Sequence, residues 1–294
     1  MSTTTVPGPG TGPAAAPTPA EAKTDRIDAL LASGKRGRRA GPVTASATFG
    51  SRALLKIKHD PKQLVDSAAI PILFTVLFTY LFGGAISGST GDYLKTLLPG
   101  VLTMSIAIVT MYGGARLAQD MHNGAFDRFR GLPIWRGAFV LGGLLSDAFR
   151  YLFASAIVIV LGLAMGYRPH GGAPGVLAAV AVVVAFGIAL SVLWAVVALL
   201  VRDAAVVISI ANAVLIPLSF ASNIFVSPGT MPHWLRDFVD VNPLSHLATA
   251  ARDLMNGAGG TSSTGGAVAW SLIATAVVFF ACTPIALHLY GKQN

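Results

Sequence analysis

From Ser67 to Gly91 the chain carries no charged side chain for 25 residues, more than the roughly 20 that a helix needs to cross a hydrocarbon core. Charge-free runs recur over Thr96–Ala115 and Tyr151–Tyr167, and again within 169–201, 204–225 and 267–290. Helices that are apolar on every side need lipid around them. Lipid in turn requires each backbone N–H and C=O to be paired, which a helix does within one segment. Only 12% of the 294 residues are charged and 53% are hydrophobic, against about 25% charged in soluble domains. The expected fold is an all-α integral membrane protein with six transmembrane helices, at about 64–86, 94–117, 146–167, 174–201, 204–225 and 267–290.

The basic residues set an orientation, because cytoplasmic loops carry an excess of Lys and Arg. Ten precede the first span, four lie between Arg116 and Arg136, and Arg202 and Lys292 fall on the same side. The opposite side has Lys95, Arg168, Arg236 and Arg252, and Arg150 begins the third span. Sixteen against four places both termini in the cytoplasm, as an even number of spans requires. The net charge of +8 thus belongs to membrane orientation rather than to nucleic acid. Arg202-Asp203 alone joins spans four and five, which predicts a tight antiparallel hairpin.

Residues 1–44 are rich in Thr, Pro, Gly and Ala and end in a GKRGRR cluster. They lack the apolar core of a signal peptide and read as a retained, disordered cytoplasmic tail. From Ala45 to Leu64 the pattern is that of an amphipathic interfacial helix. Phe49, Leu54, Leu55 and Ile57 alternate with Arg52, Lys56, Lys58 and Lys62, until Asp60-Pro61 forces a bend.

Two segments outside the spans stand out. Between spans two and three, Phe126, Phe129 and Leu132 recur at helical spacing among Asp127, Arg128 and Arg130, with Pro133 as the stop. A solvated loop and a docking helix for a soluble partner both fit that pattern. Between spans five and six, Trp234, Leu235, Phe238 and Val239 form one amphipathic pattern, and Leu244, Leu247, Ala248, Ala251 and Leu254 another. Asn242-Pro243 separates them. They suit either a surface cap or helices dipping back into the outer leaflet, and Gly257–Gly266 reads as a flexible connector.

Several chemistries are absent from the sequence. No G-x-x-x-x-G-K-[ST] phosphate loop occurs. The six histidines are scattered, and Cys282 is the one cysteine, so no metal-ligand constellation forms. The carboxylates nearest the spans, Asp66 and Asp147, sit at cytoplasmic ends, and Arg150, three residues from Asp147, suits a local ion pair or snorkelling. What remains is an apolar and aromatic interior: Phe74, Phe78 and Phe82 on span one, Met104 and Met111 on span two, and Phe220 and Asn223 at the end of span five. Such stripes serve helix packing, or line a path for a bulky apolar ligand.

HDPKQLVDSAAIPILFTVLFTYLFGGAI, LLPGVL, FDRFRGLPI and ASNIFVSPGTMPHWLRDFVDVNPLSHLATAARDL follow one another in an order that resembles the ABC-2 type permeases. More narrowly they resemble the daunorubicin-resistance group of drug and lipid exporters. The likeness runs from about residue 45 to the C-terminus. It implies a bacterial plasma-membrane permease that pairs with a second copy of itself and with two separate ATPase chains, which bind ATP and Mg. This chain itself would then bind no cofactor and be no enzyme. The resemblance assigns an ATPase-coupling helix to Gly124, Phe126, Asp127, Arg128, Phe129, Arg130, Gly131, Leu132 and Pro133, and outer re-entrant helices to Pro232–Asn256. It assigns the substrate path to Phe74, Phe78, Phe82, Met104, Met111, Phe220 and Asn223. The implied function is ATP-driven export of a hydrophobic or amphiphilic drug-like compound. The alternatives are export of a polyketide lipid or cell-envelope glycolipid, and a membrane anchor for an ATPase.

Overall fold

The computed structural model describes residues 61–123, 137–226, 229, 231–257 and 262–292. The tail over 1–44, the interfacial helix up to residue 60 and the coupling segment Gly124–Pro133 lie outside the described residues. Eight α-helices occur among the described residues. They are α1 (Pro61–Ser87), α2 (Thr90–His122), α3 (Gly137–Ala164), α4 (Gly172–Val201), α5 (Ala204–Phe220), α6 (His233–Val241), α7 (Pro243–Asn256) and α8 (Ser262–Lys292).

Among the described residues, four stretches are long and apolar enough to cross a membrane: Thr90–His122, Gly143–Ala164, Gly172–Val201 and Gly265–Leu289. Two further apolar stretches are shorter, Pro71–Ala85 in α1 and Ala204–Phe220 in α5. Length and composition therefore support four spans where the sequence suggested six. The fifth stops at Phe220 instead of 225 because side chains take over its last carbonyls. Asn242 Nδ2 donates to Leu218 O at 2.8 Å and to Ala221 O at 2.9 Å. The Ser222 hydroxyl meanwhile donates to Ser219 O and accepts from Ile224 N. At the other extreme, α8 begins at Ser262, so half of the expected glycine connector is helical.

Turn chemistry explains the other ends. Ser89 caps α2 by accepting from Asp92 N at 3.1 Å, satisfying one of the unpaired donors of a helix start. Between α4 and α5, Arg202 takes the left-handed conformation with φ 58° and closes α4. Asp203 then caps α5, accepting from Ala205 N at 2.8 Å and Val206 N at 3.1 Å. One residue ends a helix and the next begins another, so the chain reverses in two.

The helix α2 is the centre of the packing. It is buried along most of its length and touches α1, α3, α4, α5 and α7. In turn α4 touches α2, α3, α5, α7 and α8. The outer helices leave large apolar side chains exposed, among them Leu73 and Leu81 on α1 and Val277 and Phe280 on α8. Lipid tails are as apolar as these side chains, so helices in a bilayer are held by close packing and hydrogen bonds rather than by escape from water. Both occur where α2 meets α4. Trp194 Nε1 donates to Thr110 Oγ1 at 3.0 Å, and Gly114 lets the two backbones approach. A Cβ at Gly114 would lie 2.7 Å from Trp194 Cβ and 2.8 Å from Trp194 O. Nearby, Tyr151 of α3 shares a hydrogen bond with Ser191 of α4.

Neither atom facing Gly114 is the free end of a flexible side chain. Gly114→Ala is expected to lower stability by about 1–3 kcal/mol, the usual cost of overpacking. Gly84→Ala, with nothing within 4 Å of the new Cβ, should unfold with the wild type. Thermal unfolding of the two purified variants in detergent checks this.

Candidate functional site

Phenylalanines from two helices and a turn converge at one end of the protomer. Phe74, Phe78 and Phe82 recur every four residues, so α1 presents them on one face. Phe74 and Phe78 stack with centroids 5.5 Å apart, and Phe78 and Phe82 lie 5.2 Å apart. Phe220 ends α5, and Phe225 returns from the following turn to stack on Phe78 at 4.6 Å and on Phe220 at 5.3 Å. Tyr93 of α2 fixes that turn by donating from its hydroxyl to Phe225 O at 3.1 Å. The cluster thus holds four of the seven path residues read from the sequence, together with Phe225. Phe82 is 37% and Phe220 51% exposed, whereas Phe225 is buried. Next to them in sequence, the buried hydroxyls of Thr75, Thr79 and Ser219 have no hydrogen-bond partner among the described residues.

The remaining path residues sit differently. Met104 and Met111 are both buried in the interior of the protomer. Asn223 donates from Nδ2 to Thr249 Oγ1 at 2.7 Å, while its Oδ1 has no partner among the described residues. The coupling residues Gly124, Phe126, Asp127, Arg128, Phe129, Arg130, Gly131, Leu132 and Pro133 are not among those described. Asp147 pairs with Arg116 of α2. That partner is 31 residues away, and only the packing of α2 on α3 brings it near. Among the described residues no cluster of His, Cys, Asp or Glu could hold a metal ion.

Beside the phenylalanines, α7 works as a polar hub. Asn242 starts it by accepting from Leu244 N at 2.9 Å, with Pro243 in the first turn, and Gly257 ends it at φ 82°. Leu244, Leu247, Ala248 and Ala251 are buried, and Arg252 reaches across to its neighbours. Its Nη2 donates to Thr96 O at 3.1 Å and Asn223 O at 2.9 Å, and its Nε to Thr96 O at 3.3 Å. Burial pushes the guanidinium down to about 10, so it stays cationic at neutral pH. Asn256 donates to Lys95 O at 2.9 Å and accepts from the Tyr167 hydroxyl at 2.9 Å. The start of α2, the end of α3, the start of α4 and the turn after α5 all meet on this one short helix. Sequence reasoning missed Arg252 as a positioning residue. Its signal was a cation four residues after Ala248, beside the apolar stripe of the helix.

Comparison with known proteins bears on what this arrangement belongs to. Residues 46–256 match the ABC-2 type transporter family. The chain is also 41% identical over 286 residues to the daunorubicin resistance ABC transporter permease protein DrrB1 of Streptomyces coeruleorubidus, spanning 97% of this chain and 98% of that one. The chain belongs to the ABC-2 type transporter family. The permease is also 25% identical over 235 residues to the doxorubicin resistance ABC transporter permease protein DrrB of Mycobacterium tuberculosis, spanning 77% of this chain and 80% of that protein. It is therefore a multi-pass membrane permease, the non-catalytic subunit of an ABC exporter, and family membership implies an ATPase partner.

Arg252→Met would remove the charged donor to the Thr96 and Asn223 carbonyls, and a hydrogen bond to a charged group contributes roughly 1.5–3 kcal/mol. We expect the permease to unfold at lower SDS concentration in an SDS titration. Arg252→Lys should restore only part of the loss, because an ammonium lacks the fork that spans both carbonyls.

Proposed function

We propose that the permease exports a hydrophobic or amphiphilic drug-like compound as one half of a homodimer served by two ATPase chains. The observation that carries this reading is the 41% identity to DrrB1 along 97% of the chain, since the name of that relative states daunorubicin resistance. The phenylalanine cluster supports it: flat apolar rings with a few polar atoms alongside suit a large apolar ligand. On this reading residues 45–294 form the transmembrane domain and 1–44 a cytoplasmic tail. The shorter apolar stretches of α1 and α5 complete six crossings, and α6 and α7 dip into the outer leaflet. Both termini and the segment Gly124–Pro133 are cytoplasmic. Phe126, Phe129 and Leu132 seat that segment in a cleft of the ATPase. Closure of the ATPase dimer on ATP shifts the permease between two packings, because ATP binds one of them more tightly.

Efflux of an anthracycline from vesicles holding permease and ATPase, with ligand-stimulated hydrolysis, tests the reading. A complex whose hydrolysis and efflux ignore every hydrophobic compound tried would leave an anchoring role instead. Phe78→Ala opens space within the cluster and should change the order of preference among ligands while sparing basal hydrolysis.

A cysteine introduced at Gly91, where nothing lies within 4 Å of a new Cβ, should react with an impermeant reagent from outside the cell, and one at Asn123 should not. Phe126→Ala with Phe129→Ala should separate permease from ATPase, since interface anchors cost about 2 kcal/mol or more when truncated, roughly thirtyfold in affinity. Co-purification at the wild-type level, with transport intact, would refute the coupling role.

A further inference from the structure

At the end of the bundle opposite α7, a cavity of about 190 Å³ lies between α2, α3, α4 and α8. Gly143, Leu144 and Asp147 line it from the first half of α3, and Leu199 and Leu287 close it on α4 and α8, so the cavity sits at the level of the Arg202-Asp203 hairpin. Its walls are apolar, with Leu117, Leu144, Ala195 and Phe279 from the four helices. Gly143 and Leu287 line it and are also exposed, and Leu145 and Phe280 beside them are exposed large apolar side chains. The chamber therefore opens sideways on the apolar surface of the protomer, where lipid-dissolved molecules arrive.

Its polar inventory is short. The Ser191 hydroxyl is shared with Tyr151 and donates to Gly187 O, and Thr283 donates to Phe279 O. Both hydroxyls are committed inside the protein. Asp147 binds Arg116 through Oδ1, whereas a carboxylate has about four acceptor sites over its two oxygens. Space in front of Oδ2 depends on Gly113, where a Cβ would lie 2.9 Å from that oxygen. Charge then selects the ligand. An ammonium would gain Asp147 but meet Arg116, and an anion would meet the reverse; a neutral O–H group meets neither penalty. Size selects further, since a cavity of about 150 Å³ lined by apolar side chains holds benzene.

We infer that this chamber binds the hydroxylated aromatic end of a neutral lipophile entering from the membrane, the ring among the apolar walls and the O–H donating to Asp147. As an entry station for export it rests on the proposed function. As a binding site it stands without that reading. The test uses full-length permease in lipid nanodiscs without ATPase or nucleotide, so it fails separately from any transport result. The probe is a photoreactive diazirine-bearing alkylphenol, compared with its methyl ether at equal concentration. The phenol should label peptides around Leu144, Ala195 and Thr283 at least tenfold more than the ether, and excess unreactive phenol should remove the label. Ala195→Phe fills the chamber and should cut labelling at least tenfold. Ala286→Phe, on the more exposed α8, does the same should the first variant not fold. Equal labelling by phenol and ether would overturn the inference, as would label that persists in the filled variants. Label displaced by phospholipid but not by phenol would also overturn it and make the chamber an acyl-chain groove.

Discussion

The close approach of α2 and α4 across Gly114 and Trp194 is the contact on which the rest of the fold depends. A helix surrounded by other helices inside lipid gains little from hiding apolar surface, because the alternative environment is equally apolar. It gains from atoms in contact and from polar groups that would otherwise be stranded. The indole of Trp194 supplies both, packing over the glycine and donating to Thr110. Two more α2 hydroxyls turn back on their own helix, Thr103 to Pro99 O and Ser105 to Val101 O, so α2 can be buried without leaving them unpaired. Once α2 and α4 are fixed, α1 packs on one, α8 on the other, and α3, α5 and α7 on both.

The two ends of the bundle are held differently. Around α7, side chains of Arg252, Asn256 and Asn242 donate to five backbone carbonyls, two in α2 and three in α5 or the turn after it. A neutral bond of this kind contributes about 1 kcal/mol net and a charged one roughly 1.5–3. Their sum is several kcal/mol, comparable to the roughly 5.5 kcal/mol that moves a two-state equilibrium from 1:99 to 99:1. Anything that separates α7 from α2 and α5 must offset that sum. At the other end, Arg116 of α2 pairs with Asp147 of α3 beside an open chamber.

What the sequence made legible was local. The Arg202-Asp203 hairpin follows from two polar residues between two apolar runs, and the break between α6 and α7 follows from Asn242-Pro243. The end of α5 was not legible, because the amide that takes over its carbonyls comes from Asn242, 24 residues beyond Leu218. Arg116 was missed as a partner of Asp147 for the same reason: it lies 31 residues away, and only the packing of α2 on α3 brings it near. The glycines at 265 and 266 suggested a connector, yet a helix accommodates them, since each costs only about 1 kcal/mol relative to alanine. In the candidate path, four-residue spacing correctly put Phe74, Phe78 and Phe82 on one face. It carried no information about Phe225, whose position depends on the Tyr93 hydroxyl of another helix.

That same spacing treated Met104 and Met111 as equals of the phenylalanines, and here burial separates them. Both methionines are 4% exposed inside one protomer. A ligand could reach them only if α2 parted from its neighbours, at the cost of the Trp194 contact. Phe82 and Phe220 need no such movement. Their exposed edges continue into the apolar face of α1 that holds Leu73, Leu77 and Leu81. On the dimeric reading proposed above, one protomer offers half a wall and a second copy facing it supplies the other half. A path between two such walls can widen by sliding whole protomers apart while each core stays packed. For a transporter of bulky compounds, that route opens without breaking the interaction that holds α2 in place.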